Sequence, residues 1–151
     1  MGYTWRVPKA IRQLGAKLYF ERCGKNVDIG RKVKLSSKVY IGDRSGIGDE
    51  CRLQGVIHIG NDVMMAPEVA LIASNHVFEK TDIPMNQQGE IGKPIEIGND
   101  VWLGFRSIVL SGVRIGNGSI VAAGAVVISN VSENETVYGI PALPKKKKDA
   151  E

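Results

Sequence analysis

A formal charge of +4 on 151 residues, with only two cysteines, excludes several protein classes before any motif is considered. No run approaches the roughly 18 apolar residues of a membrane-spanning helix, no apolar signal-peptide core appears near the first residue, and two cysteines make no disulfide framework. The excess of 20 basic over 16 acidic residues equals the run Lys145–Lys148, so we expect a solvated tail and no nucleic-acid-binding face. The alternative for this tail is contact with a phosphate-bearing ligand or an anionic membrane surface. We therefore expect a single domain in the reducing cytoplasm.

Residues 4–22 predict an N-terminal helix. Thr4 can cap it and Pro8 suits its first turn. An apolar stripe recurs at steps of four, three and four residues: Val7, Ile11, Leu14 and Leu18. We favour a cap over the end of the repeats that follow, because a solenoid needs one. The alternative is a basic amphipathic helix that rests on a membrane surface.

A six-residue repeat fills residues 27–74 and 95–137. Its central aliphatic residue recurs at fourteen positions, all apolar: Ile29, Leu35, Ile41, Ile47, Leu53, Ile59, Met65, Leu71, Ile97, Leu103, Val109, Ile115, Val121 and Val127. Apolar residues two apart within each unit indicate short strands, since a helix would need steps of three and four. Glycines such as Gly42 and Gly60 follow the aliphatic residue, where we expect corners with positive φ. The repeat predicts an all-β solenoid.

The spacing alone leaves the cross-section of this solenoid open. A flat stack would place corners every twelve residues, whereas three strands per coil would make a triangular prism of eighteen residues per coil. Handedness is equally open, although crossovers between parallel strands generally favour the right-handed sense. In either geometry the inward aliphatic residues form the core, and Cys51 falls on an inward position for a small residue.

A polar excursion at residues 75–94 interrupts the repeat. A long loop in a compact domain is usually functional or disordered, and this one opens with His76, one of two histidines in the chain. A neutral imidazole can accept a proton near physiological pH, so it can activate a hydroxyl for attack on a thioester. We therefore regard His76 as a candidate general base. His58 lies between two inward isoleucines, and we expect it on the outer surface.

The motifs around this excursion resemble those of the hexapeptide-repeat acyltransferases over roughly residues 27–142. After the histidine come KPIEIGNDVWLG at residues 93–104, AAGA at 122–125 and GIPA at 139–142. Residues 73–84, with ASNHVF at their start and TDIP at their end, are most similar to sugar and exopolysaccharide O-acetyltransferases. The resemblance implies a left-handed parallel β-helix, here of about five coils, with a tail at 138–151.

The resemblance also implies a function and a site. It implies acetyl-CoA as co-substrate, no metal or bound cofactor, and a homotrimer with CoA in the groove between adjacent prisms. His76 corresponds to the general base. The implied acceptor contacts are Asn75, Asp49, Glu50, Asp82 and Trp102. The implied CoA contacts are Gly104, Ala122, Ala123, Lys145 and Lys146.

Two departures from the family pattern bear on these assignments. Family members commonly carry an Asn where this chain has Gly48-Asp49-Glu50, and an Arg after the terminal Pro-Ala where this chain has Leu143. Glu79 and Asp82 are the candidates to orient the imidazole. Two further functions stay open: N-acetylation of an amino sugar, and a non-catalytic binding scaffold. Zinc-dependent carbonic anhydrases share this kind of prism but need three histidines, so the count of two excludes that class.

Overall fold

The computed structural model describes residues 8–145 as one helix followed by a three-sided column of short parallel strands. Residues paired across adjacent coils are usually eighteen apart, as for Val39 with Ile57 and Trp102 with Ile120. The triangular prism is therefore the correct one of the two cross-sections. No helix among the described residues is long and apolar enough to cross a bilayer.

Each side of the prism is one sheet. The first face contains Arg22–Cys23, Val39–Ile41, Ile57–Ile59, Ile95–Ile97 and Arg114–Ile115. The second face contains Asp28–Ile29, Gly46–Ile47, Met64–Met65, Trp102–Leu103, Ile120–Val121, Thr136–Tyr138 and an antiparallel final strand, Leu143–Pro144. The third face contains Lys34–Leu35, Arg52–Gln54, Ala70–Ile72, Ile108–Leu110 and Val126–Val127.

The column has about six coils, one more than the repeat predicted. The additional coil arises because pairing begins at Arg22–Cys23, before the first clear repeat, and continues through Thr136–Tyr138. Thirteen of the fourteen repeat positions are buried, and Leu35 is partly buried in the first coil. Cys51 is buried as expected, and this burial raises the pKa of its thiol. A single apolar core therefore runs the length of the column.

The corner glycines have a different role from the one the sequence suggested. Positive φ falls two residues after the glycine, as at Asp62 and Asp100, whereas Gly60 and Gly98 themselves do not adopt it. A Cβ on Gly60 would lie 2.5 Å from the carbonyl oxygen of Gly98 in the next coil. Glycine is required there because stacked backbones approach too closely for any side chain, not because the corner is left-handed.

Asparagine and aspartate side chains join successive coils at the corner between the first and second faces. The Oδ1 atom of Asn99 accepts a hydrogen bond from the backbone N–H of Asn61 at 2.8 Å, and Asn117 repeats the contact to Asn99 at 2.7 Å. Asp43 and Asn61 continue the series toward the first coil. These residues satisfy backbone donors that a corner would otherwise leave to solvent.

We expect Asn99→Ala to lower the free energy of unfolding by about 0.5–1.5 kcal/mol, because it removes the acceptor for the Asn61 N–H group. Urea unfolding followed by circular dichroism measures the change. Asn86→Ala, at an exposed position in the excursion, is the matched control and should stay within about 0.5 kcal/mol of the parent. Equal effects of the two substitutions would show that the corner contact contributes nothing.

The N-terminal helix spans Lys9–Tyr19, and Pro8 directly precedes it. The predicted end at residue 22 is wrong, because Phe20 is extended and buried, and Arg22–Cys23 pairs with Tyr40 and Ile41 in the first face. The predicted cap at Thr4, the start of the helix at residue 4 and the stripe residue Val7 lie outside the described residues.

The helix covers the open edge of the first coil with its polar side. Arg12 Nε donates a hydrogen bond to the carbonyl of Ile29 at 2.7 Å, and Gln13 Nε2 donates to that of Val27 at 2.9 Å. These carbonyls belong to the first coil, which has no preceding coil to supply their donors. The helix therefore caps the column through these hydrogen bonds and through Ala16, which is buried in the core, whereas the apolar stripe stays exposed.

Candidate active site

The excursion is a hairpin rather than a loose loop. It leaves the column after Ala70–Ile72 and returns at Ile95–Ile97, at the corner between the third and first faces. Asn75–His76 pairs antiparallel with Glu90–Ile91, and this pairing places His76 directly opposite Glu90. The histidine therefore stands on a two-stranded ribbon whose register is fixed by its backbone pairing.

Two side chains of the column fix the base of this ribbon. Ser111 Oγ accepts a hydrogen bond from the backbone N–H of Lys93 at 2.8 Å and lies 3.2 Å from the carbonyl oxygen of Ala73. Gln54 Nε2 donates to Ser74 Oγ at 2.7 Å. Both ends of the excursion are thus tied to coils on either side, which restricts where His76 can point.

The far end of the ribbon is closed by one side chain. Gln88 Oε1 accepts a hydrogen bond from the N–H of Lys80 at 3.0 Å, and its Nε2 donates to the carbonyls of Lys80 and Ile83 at 2.7 Å. A short 3₁₀ helix, Met85–Gln87, precedes it. Large apolar side chains stay exposed along the ribbon: Phe78, Met85 and Ile91. Such a surface suits contact with another molecule.

The imidazole of His76 is solvent-exposed, as a base that must reach a substrate requires. Within residues 8–145, no carboxylate is hydrogen-bonded to it, including Glu79 and Asp82. Asn75 uses its Oδ1 atom to accept the backbone N–H of His76 at 2.9 Å. The Asn75 side chain therefore has a local structural role that the resemblance did not indicate.

Glu90 is a candidate to orient the imidazole that the sequence alone did not indicate. Directly paired residues of an antiparallel ribbon share one face, with Cβ atoms roughly 4.5–5.5 Å apart. Glu90 is therefore the carboxylate that the backbone places beside His76. Only the register of the hairpin brings this carboxylate beside the imidazole. That register cannot be inferred from the polar sequence of the excursion.

Trp102 lies on the second face, where it points outward as predicted and is 48% exposed. It pairs with Met64 in the preceding coil and Ile120 in the following one. Together these three outward side chains form an apolar strip along the second face. A strip of this kind fits packing between subunits as well as ligand contact.

Gly104, Ala122 and Ala123 meet at the corner between the second and third faces. A Cβ on Gly104 would lie 2.6 Å from the backbone nitrogen of Ala123, so stacking of coils alone accounts for this glycine. Ala123 is exposed and Ala122 partly buried. The corner is thus a smooth surface where a ligand could approach the backbone closely.

Asp49 and Glu50 lie at the same corner as Gly104, two coils earlier. Asp49 forms an ion pair with Arg31, whose hydrogen bond holds the pKa of that carboxyl below its usual range. Glu50 pairs with Lys32 at 3.1 Å. Both carboxylates are therefore engaged in ion pairs between coils. These ion pairs explain the two residues without a role in binding the acetyl acceptor.

Lys145 is exposed, and its backbone N–H donates to the carbonyl of Thr136 at 2.8 Å. This bond places the start of the lysine run beside the last coil of the second face. Lys146 lies outside the described residues.

One chain does not bring the predicted site residues together. The ribbon that carries Asn75, His76 and Asp82 leaves one corner of the prism, whereas Gly104, Ala123 and Asp49 occupy another. Trp102 stands on the face between two corners. A site that used all of these residues would have to be built from two neighbouring columns.

Comparison with known proteins identifies the family. The family model for the bacterial transferase hexapeptide (six repeats) matches residues 94–129. A putative colanic acid biosynthesis acetyltransferase of Escherichia coli is 32% identical over 145 residues, which cover 93% of this chain and 74% of that protein. The chain belongs to the hexapeptide-repeat acetyltransferases.

Other members of this family differ in length and substrate. A galactoside O-acetyltransferase of Lactococcus lactis is 30% identical over 125 residues, covering 82% of this chain and 54% of that enzyme. The chain thus spans about half the length of several relatives that it matches.

Solved structures of hexapeptide-repeat acetyltransferases share the fold. A maltose O-acetyltransferase of Clostridium difficile superposes with a TM-score of 0.88 at 25% identity, covering 98% of this chain and 80% of that one. A hexapeptide-repeat acetyltransferase of Vibrio cholerae, solved with acetyl-CoA, has a TM-score of 0.85 at 27% identity, with 96% and 81% covered.

Proposed function

We propose that the protein transfers an acetyl group from acetyl-CoA to a hydroxyl of a sugar or polysaccharide precursor. The observation that carries the proposal is the fixed ribbon that presents His76 on a hexapeptide-repeat column. Relatives named as galactoside, maltose and colanic acid acetyltransferases support the acceptor class, and the Vibrio cholerae acetyltransferase solved with acetyl-CoA supports the donor. The two free cysteines among the described residues support a reducing, cytoplasmic setting.

In the proposed reaction, neutral His76 removes the proton of the acceptor hydroxyl as its oxygen attacks the thioester carbonyl. The resulting tetrahedral intermediate expels the thiolate of CoA, and the imidazolium returns its proton to that sulfur. The products are an acetate ester and CoA, so one imidazole serves first as base and then as acid. Glu90 would hold the imidazole in orientation and stabilise its positive charge.

The active unit in this proposal is a homotrimer. The ribbon of one column would lie against the second and third faces of its neighbour, where Trp102, Gly104 and Ala123 are found. CoA would occupy the groove between columns, with its pantetheine arm along the smooth corner and its phosphates near Lys145 and Lys146. Asn75 and Asp82 would contact the acceptor. Asp49 and Glu50 would do so only after release from Arg31 and Lys32.

Acetyl-CoA incubated with a panel of sugars and the purified protein tests the function. Free thiol measures turnover, a reaction without acceptor corrects for hydrolysis and for the protein's own cysteines, and mass spectrometry distinguishes an ester from an amide. We expect ester formation on a hydroxyl. Amide formed only on amino sugars would support the N-acetyltransferase alternative. No turnover and no thermal stabilisation by CoA would support a scaffold.

Glu90→Gln should slow acetyl transfer by less than removal of His76 does, because the base remains but loses its negatively charged neighbour. The informative measurement is the split between kcat and KM: a residue that only orients the base should change kcat and leave the KM for acetyl-CoA unchanged. Glu79→Gln, on the same ribbon without a direct pairing to His76, is the control. Identical kcat values for all three proteins would exclude the positioning role.

A further inference from the structure

The N-terminal helix turns its apolar side to solvent. Ile11, Leu14 and Leu18 are 58%, 59% and 81% exposed, whereas Arg12 and Gln13 face the column. The three apolar residues recur at steps of three and four, so they form one stripe along the helix. An exposed stripe of this size on a short helix requires a partner surface.

The end of the column that carries this helix is strongly basic. Residues 8–40 contain nine Lys and Arg against two Asp and Glu, whereas residues 41–144 contain six against twelve. Exposed cations flank the stripe, among them Lys17 on the helix and Arg22 and Lys25 just after it. A surface of opposite charge would therefore be attracted to this end more strongly than to residues 41–144.

We propose that the helix-bearing end of the protein docks onto an anionic lipid surface, with Ile11, Leu14 and Leu18 entering the interface. Apolar residues on one side of a helix and lysine or arginine at its flanks are the two features that interfacial binding combines. Each cation near an anionic bilayer adds to the attraction, and the attraction weakens as salt screens it.

Charge also argues against a second molecule that binds end to end as the occupant. Such pairing through this stripe would bring two strongly basic ends face to face, and the resulting repulsion would oppose association. The helix Lys9–Tyr19 is already fixed to the column by Arg12 and Gln13. The stripe is therefore held outward in the position that insertion needs, without a conformational change.

Co-sedimentation of the full chain with vesicles tests the proposal. We expect the parent to bind phosphatidylglycerol vesicles, to bind phosphatidylcholine vesicles at least 10-fold more weakly, and to be released by high salt. The double variant Leu14→Ser, Leu18→Ser should bind phosphatidylglycerol at least 10-fold more weakly than the parent. Ile140→Ser, equally exposed but near the other end of the column, should bind as the parent does.

Three results would overturn the proposal. The first is a parent that fails to bind phosphatidylglycerol vesicles. The second is full binding by the double variant, which would show that charge alone, such as that of Lys145–Lys148, is responsible. The third is a changed oligomeric state of the double variant in light scattering, which would show that the stripe packs on another subunit. Far-ultraviolet circular dichroism confirms that each variant is folded, and none of these measurements depends on acetyl transfer.

Discussion

His76→Ala should lower the rate of acetyl transfer by about 10²–10⁴-fold, the contribution of a positioned general base. The hydroxyl would then have to lose its proton to water as it attacks the thioester. Stability should change little, because the side chain is exposed on the ribbon and the backbone pairing with Glu90 does not depend on it. Thiol release at saturating acetyl-CoA and acceptor measures the effect as a change in kcat.

The second histidine provides the matched control. His58 points outward on the first face, where its ring stacks on that of Tyr40 with 4.6 Å between the ring centroids. His58→Ala should therefore retain the parent rate while showing a small loss of stability. A His76→Ala protein that releases thiol as fast as the parent would eliminate this imidazole as the base, and the hypothesis would fail even if the enzyme were active.

Leu103→Ala should lower the free energy of unfolding by about 2–5 kcal/mol, which is large against the total stability of a single domain. Leu103 is fully buried, and it pairs with Met65 in the coil before and Val121 in the coil after. Truncation leaves a cavity that the neighbouring coils cannot fill, because their backbones are already in contact at the adjacent Gly104 corner. Chemical unfolding measures the loss.

Leu18→Ala is the control for this prediction, since it makes the same change at a side chain that is 81% exposed. It should alter stability by about 0.5 kcal/mol at most. Similar losses at Leu18 and Leu103 would mean that the stripe is as buried in solution as the core is. That result would contradict both the core assignment and the outward orientation of the helix.

The regular part of the fold followed from the sequence because one local pattern repeats. An inward residue every six positions and paired apolar residues two apart indicate strands and corners without any long-range information. The number of sides and the left-handed sense did not follow from spacing and came from the resemblance. The positions of the corner glycines were predicted, but for the wrong physical reason. Glycine is required there because stacked coils approach closely, and a single repeat does not show that stacking.

The helix and the ribbon show where local patterns fail. The apolar stripe at Ile11, Leu14 and Leu18 predicted a buried face, yet the open edge of the first coil offers unpaired carbonyls, and hydrogen-bond donors satisfy these better than leucine can. His76 could be selected from its chemistry, whereas Glu90 could not, because only the hairpin register joins residues fourteen positions apart.

The final strand has a consequence for assembly. Leu143–Pro144 runs antiparallel to the other strands of the second face. Its proline has no amide hydrogen to donate to an additional strand. The first coil of a second molecule could not pair in register with this final strand, because the strands of that coil are parallel. The outer edge of that coil is also already occupied by Arg12 and Gln13. The second face is thus closed to a further layer at this end, and the helix covers the first coil at the other, so end-to-end addition of molecules is opposed on this face.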